Sequence, residues 1–116
     1  MIESIQTYLE KYPQETVDLF KRLRELVYES TSPAVAEKIW ARLPSYYLGH
    51  AFIRFIPFKD HINIEAEAVR LHQQELCEFR ITAKGMLQIF VGQKLPEEQL
   101  KQIFSETLLQ SCRISE

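Results

Sequence analysis

The stretch Pro57–Glu67, PFKDHINIEAE, carries the clearest strand signal in the chain. Within it, Ile62 and Ile64 alternate with the polar residues on either side of them. Because successive side chains of a β-strand point to opposite faces, this pattern predicts a strand with one apolar face and one polar face. The proline at position 57 and the polar residues after it predict a turn just before that strand.

Two hairpins are predicted around this strand. The segment 45–58, SYYLGHAFIRFIPF, is rich in aromatic and β-branched residues, and the glycine near its middle predicts a turn between two short strands. The segment 79–92, FRITAKGMLQIFVG, predicts a second hairpin with Lys84 and Gly85 at its turn. Since a short turn joins strands that run in opposite directions, both hairpins predict antiparallel pairing.

Helical signals occur in five segments. The strongest lies in residues 14–30, where Phe20 and Leu23 belong to an apolar stripe at helical spacing and are expected to be buried. Ser32 and Pro33 have the pattern of an N-cap followed by a first helical residue, and they predict a short helix that ends by Trp40. The remaining helices are predicted in the segments 2–12, 67–76 and 95–110.

This order of elements predicts a single α+β domain that spans residues 1–116. Its antiparallel sheet is expected to contain two hairpins, about four to five strands in all, with the helices packed on one face. The aromatic residues, Trp40, Tyr46 and Phe58 among them, are expected in the core. Cys77 is expected there too, as a small buried apolar group.

Composition and charge argue against several classes of function. The chain has 3 glycines, so neither a P-loop nor a dinucleotide-binding glycine motif is present. Its formal net charge is −2 without a run of basic residues, which disfavours nucleic acid as a partner. No apolar run reaches the roughly 18 residues of a membrane span, and the first residues lack a signal-peptide pattern. We therefore expect a cytoplasmic protein in which Cys77 and Cys112 are free thiols.

The polar face of the 61–65 strand raises the question of a metal site. His61 and Glu65 share that face, but at roughly 3.3 Å per residue they stand about 13 Å apart. Bonds from a metal ion to its ligands are only about 2 Å long, so this pair alone cannot hold one ion. We therefore interpret these residues as a solvated strand face.

Two helical pairs are further candidates. Glu25 and Glu29 stand one turn apart and are the candidate metal-binding pair, although the basic residues beside them favour a salt-bridged surface. His72 and Glu75 are interpreted as a surface pair. Nothing in the chain positions a nucleophile beside a base, so no catalytic residue is assigned and an enzyme is the least supported class.

Three stretches are similar to the YdhG-like family of small bacterial proteins. They are EKIWARLPSYYLG at 37–49, PFKDHINI at 57–64 and ITAKGMLQIFVGQKLPEEQLKQI at 81–103, and they occur in the same order as in that family. Some members of the family are described as frataxin-like iron chaperones. The resemblance implies an α+β fold and a small non-enzymatic protein that binds iron weakly through surface carboxylates.

The alternative is a binding module that takes a small molecule or a protein, as a monomer or a homodimer. Its ligand would lie on the open side of the sheet or in a groove beside LPSYY, residues 43–47. The candidate ligand contacts for this interpretation are Tyr46, Phe58, Lys59, His61 and Lys84.

Overall fold

An antiparallel sheet of six strands forms the centre of the structure, a computed structural model that describes residues 1–110. The strand order is β1-β2-β3-β4-β6-β5, and every neighbouring pair is antiparallel. This confirms the predicted α+β class. The strands are β1 (Ala36–Trp40), β2 (Leu43–Leu48), β3 (Ala51–Pro57), β4 (His61–Ala66), β5 (Arg80–Ile81) and β6 (Leu87–Phe90).

Strand β1 corrects the prediction of a helix after Ser32 and makes the number of strands six rather than four to five. The Ser-Pro pair forms a turn, because the N–H of Ala34 donates to Ser32 Oγ and that of Val35 to the Ser32 carbonyl. The chain then pairs with β2 across a tight connection in which Ala41 and Arg42 have φ values of 52° and 68°. Serine followed by proline occurs both at helix starts and in turns, so Ser32 and Pro33 alone do not distinguish the two structures.

The alternation that was predicted for β4 is confirmed. Ile62 and Ile64 are fully buried, whereas His61 and Glu65 on the other face remain partly exposed. Both predicted hairpins also form, since β2 pairs with β3 and β5 pairs with β6.

Three α-helices lie within residues 1–110: α1 (Glu3–Leu9), α2 (Gln14–Ser30) and α3 (Glu97–Ser105). A π-helical turn, Glu106–Gln110, continues α3. The predicted 67–76 helix is wrong in type, because only a 3₁₀ segment, Glu67–Leu71, forms there and turns with hydrogen bonds to the third preceding residue follow it. In the same described part of the chain, no helix is both long enough and apolar enough to cross a membrane.

The helices cover one face of the sheet through aromatic contacts. The Phe55 ring lies 5.5 Å from that of Phe20 on α2 and 6.1 Å from that of Phe104 on α3. The predicted stripe of α2 is confirmed as core, since both Phe20 and Leu23 are fully buried. Within residues 1–110 the opposite face of the sheet carries no helix layer, and its residues alternate with the buried ones.

Three residues that were expected in the core lie at the surface instead. Trp40 is 49% exposed because it alternates with Ile39 and therefore points away from the helices. Phe58 is 42% exposed because β3 has already ended at the residue before it. Cys77 is exposed beside the buried Leu76, and the prediction for Cys112 lies outside the described residues.

A carboxylate with little solvent contact ties β1 to the helices. The side chain of Glu37 is 5% exposed and accepts hydrogen bonds from Arg24 Nε, from the Ile2 N–H and from the Tyr46 hydroxyl. Burial disfavours the charge of Glu37, but these donors outweigh it and lower the pKa of its carboxyl. The N-terminus of α1, the middle of α2 and strands β1 and β2 therefore meet at one ionised group.

Replacing Leu23 by Ala should lower the free energy of unfolding by about 2 to 5 kcal/mol, because the side chain is fully buried and its truncation leaves a cavity. Leu71→Ala is the matched control, since Leu71 is 60% exposed and its loss should change stability by less than about 0.5 kcal/mol. Denaturant titration measures both values. Equal midpoints for the two variants would contradict the assigned core.

Candidate functional site

The side of the sheet that faces away from the helices is the main candidate site, and we call it the open face. Its members alternate along each strand with the buried residues that contact the helices. Cross-strand register places them in rows that run across the sheet. Its polar and aromatic side chains are Lys38, Trp40, Ser45, Tyr47, Phe52, Arg54, His61, Asn63, Glu65, Arg80, Gln88 and Phe90.

A stacked arginine occupies the middle of the open face. The guanidinium carbon of Arg54 lies 4.8 Å from the centroid of the Trp40 ring and 5.0 Å from that of Phe52. Its Nε lies 3.2 Å from Glu65 Oε1 on the next strand, although the angle is outside hydrogen-bond geometry. The aromatic rings and the carboxylate together hold this long side chain in one orientation, with 14% of it exposed.

A stacked histidine lies at the other end of the same face. His61 is sandwiched between the rings of Phe58, at 4.5 Å and 11°, and Phe90, at 4.7 Å and 29°. Its Nδ1 lies 2.8 Å from Asp60 Oδ1. Asn63, the next residue on this face, is 9% exposed and its Oδ1 has no hydrogen-bond partner among the described residues.

The charge of the open face has the opposite sign to that of the chain. Its strand positions hold three cations, Lys38, Arg54 and Arg80, and one carboxylate, Glu65, which gives a formal +2 with histidine neutral. The whole chain carries −2. A positive surface is therefore concentrated on one side of an acidic protein.

The five predicted ligand contacts do not lie at one site. Phe58 and His61 stack together at the edge of the open face, and the neighbouring Lys59 is exposed, with its carbonyl accepting a hydrogen bond from Thr16 Oγ1 at 2.8 Å. Tyr46 faces the helices with no exposed surface, because it has the opposite strand parity, so it lines no open groove beside residues 43–47. Lys84 lies elsewhere, on the wall of a cavity at the end of the sheet.

The candidate metal pair is engaged by cations. Arg22 Nη1 lies 3.0 Å from both Glu25 Oε1 and Glu29 Oε2, while its Nη2 lies 2.8 Å from Glu97 Oε1. Hydrogen bonds to Glu97 and to the other two carboxylates raise the pKa of Arg22, and the Arg22 hydrogen bond lowers that of Glu97. The interpretation as a salt-bridged surface is confirmed. A metal ion would have to displace Arg22, so this donor set does not fit one as it stands.

No group of three or more His, Cys, Asp or Glu side chains is arranged to hold a metal ion anywhere in residues 1–110. The stacked His61 has one carboxylate at hydrogen-bond distance, that of Asp60, while Glu65 on the same face is occupied by Arg54. Iron binding through weak surface contacts therefore stays a prediction.

His72 was predicted on the surface, but it is buried between two carboxylates. The imidazole is 8% exposed, with Nδ1 2.7 Å from Glu75 Oε2 and Nε2 2.6 Å from Glu106 Oε1. Burial disfavours the imidazolium, but the hydrogen bonds to these two carboxylates outweigh it and raise the pKa of His72. The carboxylates approach opposite sides of the ring, so the group links the turns after the 3₁₀ segment to the π-helical turn. The i, i+3 spacing signalled Glu75, but nothing local signalled Glu106.

Comparison with known proteins adds no relative, because no protein-family model, no curated protein and no solved structure matches the chain. The resemblance to the YdhG-like family stays a prediction from the quoted stretches.

The raised pKa of His72 predicts a loss of stability at alkaline pH. Its contribution is complete below the unfolded value of 6.5 and disappears as the pH rises through the higher folded value, because deprotonation removes the charge from both ion pairs. The free energy of unfolding, measured between about pH 5 and pH 9, should decrease as the pH rises through this window. In His72→Gln this decrease should be smaller. The exposed His50 provides the control variant, His50→Gln. An unchanged slope in His72→Gln would contradict the assignment.

Ferrous iron, if it binds, should bind weakly at exposed carboxylates. Its binding should weaken further as salt is added, because exposed charges are screened. His61→Ala should leave the heat of binding unchanged. Anaerobic calorimetric titration of the tag-free protein measures this, and a tight stoichiometric site that disappears with His61→Ala would show that the strand carries a true metal centre.

Proposed function

We propose that the chain is a non-enzymatic binding module whose open face receives an acidic segment of a partner protein. The observation that carries this proposal is the stacked Arg54 between Trp40 and Phe52 on the side of the sheet opposite the helices. A cytoplasmic location and the YdhG-like relationship are part of the same proposal and rest on the sequence.

Charge complementarity identifies the sign of the partner. The open face carries a formal +2 on a chain of −2, so the rest of the surface repels an acidic partner while this face attracts it. Such an arrangement orients the encounter and raises the association rate. It also selects against basic partners, which meet the acidic remainder of the surface instead.

The stacked side chains supply the contact energy and the rigidity. Trp and Arg are the residue types that most often dominate binding energy in protein interfaces, and here they lie in contact with one another. Arg54 is already oriented by Trp40, Phe52 and Glu65, so little side-chain entropy remains to be lost on binding. Trp40 and Phe58, each more than two-fifths exposed, offer apolar contact at two places on the same side of the sheet.

A protein segment is favoured over a nucleic acid for two reasons. The net charge of −2 opposes a polyanion outside the open face, and nucleic-acid affinity depends chiefly on neutralised phosphates. In addition, the rings are already in contact with cations: Arg54 lies on Trp40 and Phe52, and Lys38 Nζ is 4.3 Å from the Tyr47 centroid. Base stacking requires ring faces that are free.

Trp40 is the only tryptophan of the chain, so its fluorescence reports directly on the open face. We expect saturable changes in its emission with synthetic peptides that combine glutamates with an apolar residue, and none with matched peptides in which lysine replaces glutamate. Arg54→Gln should weaken binding about tenfold, the amount expected for the loss of one charge-assisted contact.

Lys21→Gln, an exposed cation on α2 outside the open face, is the matched charge control and should bind the acidic peptide as the wild type does. Equal binding by Arg54→Gln and the wild type would refute the proposed contact. Stronger binding of an oligothymidylate than of any acidic peptide would refute the choice of partner and identify the open face as a nucleic-acid surface.

A further inference from the structure

A cavity of about 400 Å³ lies at one end of the sheet, and we call it the end cavity. Its walls are the first residues of β3, the last residues of β4, the 3₁₀ segment and the turn between β5 and β6. This volume lies within the range of small-molecule sites, roughly 300 to 1,000 Å³. Phe52 and Glu65 on its wall also belong to the open face, whereas Lys84 and Met86 do not, so the cavity offers a second place for a ligand that adjoins the open face.

The charges around the end cavity leave one cation without a carboxylate. Glu65 is neutralised by Arg54 at 3.2 Å, and Glu67 lies 3.8 Å from Arg70 in a loose, exposed pair. Lys84 lines the same cavity and has no carboxylate within 4.0 Å among residues 1–110. The lining residues carry two cations and two carboxylates, a formal charge of zero, and Lys84 is the one of these four without an ion-pair partner within residues 1–110.

The rest of the wall gives room and apolar contact. Phe52 and Met86 both line the cavity and are only partly buried. Gly85, beside Lys84, has φ +87°, and a Cβ built on it would meet no atom within 4 Å. The backbone of the turn therefore leaves open space at Gly85, which lines the cavity together with Lys84.

The geometry points to a second binding site, in which the end cavity takes a small organic monoanion. Its carboxylate pairs with Lys84, and its apolar part packs against Phe52 and Met86. A single charge is favoured because Lys84 is the one cation of the wall that has no carboxylate partner within residues 1–110. An apolar part is favoured because specific small-molecule sites bury most of their ligand against hydrophobic and aromatic side chains.

The test uses four sodium salts: acetate, hexanoate, benzoate and inorganic phosphate. Amide chemical shifts of the full chain are followed by two-dimensional NMR during each titration. Hexanoate or benzoate should give saturable shifts at Gly85, Met86 and Phe52, and each should bind more tightly than acetate. Phosphate at equal ionic strength separates a carboxylate site from a general anion site.

Two variants locate the site. Lys84→Gln should weaken hexanoate or benzoate binding about tenfold, while Lys94→Gln, an exposed lysine outside this cavity, should leave it unchanged. Ala51→Leu keeps every charge and places bulk in the cavity, so it should also weaken binding. Amide spectra show whether Ala51→Leu folds, and if it does not, Lys84→Gln decides alone. No saturable shift at Gly85, equal responses to all four anions, or full binding by Lys84→Gln would overturn the inference.

Discussion

Burial of one side of the sheet against α2 and α3 is the constraint on which the rest of the structure depends. Phe55 is its centre, since its ring contacts Phe20 on one helix and Phe104 on the other. Side chains alternate along a strand, so a slip of one residue in β3 would place Arg54 in this apolar layer and Phe55 in water. The register that buries Phe55 therefore also fixes Arg54 on the open face, opposite Glu65. The candidate binding surface is a consequence of the core.

The edge strand β1 depends on a second, more local interaction. Its connection to β2 holds Ala41 and Arg42 at positive φ, which costs about 1 to 2 kcal/mol for each such residue. Five paired positions with β2 and the hydrogen bonds that Glu37 accepts offset this strain. The strand matters for function because it carries Trp40 to the ring contact with Arg54. Without Glu37 as an anchor, the proposed site would lose one wall of its stacked arginine.

The parts of the fold that could be predicted from sequence are those with a local period. The alternation around Ile62 and the helical stripe through Phe20 depend on neighbours a few residues away, and both are confirmed. Strand β1 could not be predicted in this way, because its Ser-Pro start is shared by helices and its pairing depends on long-range partners. The same holds for the candidate site. Phe58 and His61 were both predicted as ligand contacts, but their stacking was not predicted, and the contact of Trp40 with Arg54 crosses strand β2 while that of His72 with Glu106 spans 34 residues.

The two proposed sites share Phe52 and the carboxylate of one ion pair, so we expect binding at one to oppose binding at the other. Arg54 and Glu65 both lie on the open face, and Glu65 also lines the end cavity. An acidic partner that draws the guanidinium toward itself weakens the neutralisation of Glu65, so the wall of the cavity becomes more negative and a monoanion there is disfavoured. Linkage requires the reverse effect to have equal magnitude, so an anion bound at Lys84 must weaken the acidic partner by the same factor. On these two proposals, a ligand in the end cavity would weaken binding at the open face through Glu65 and Phe52, the two residues that both sites contain.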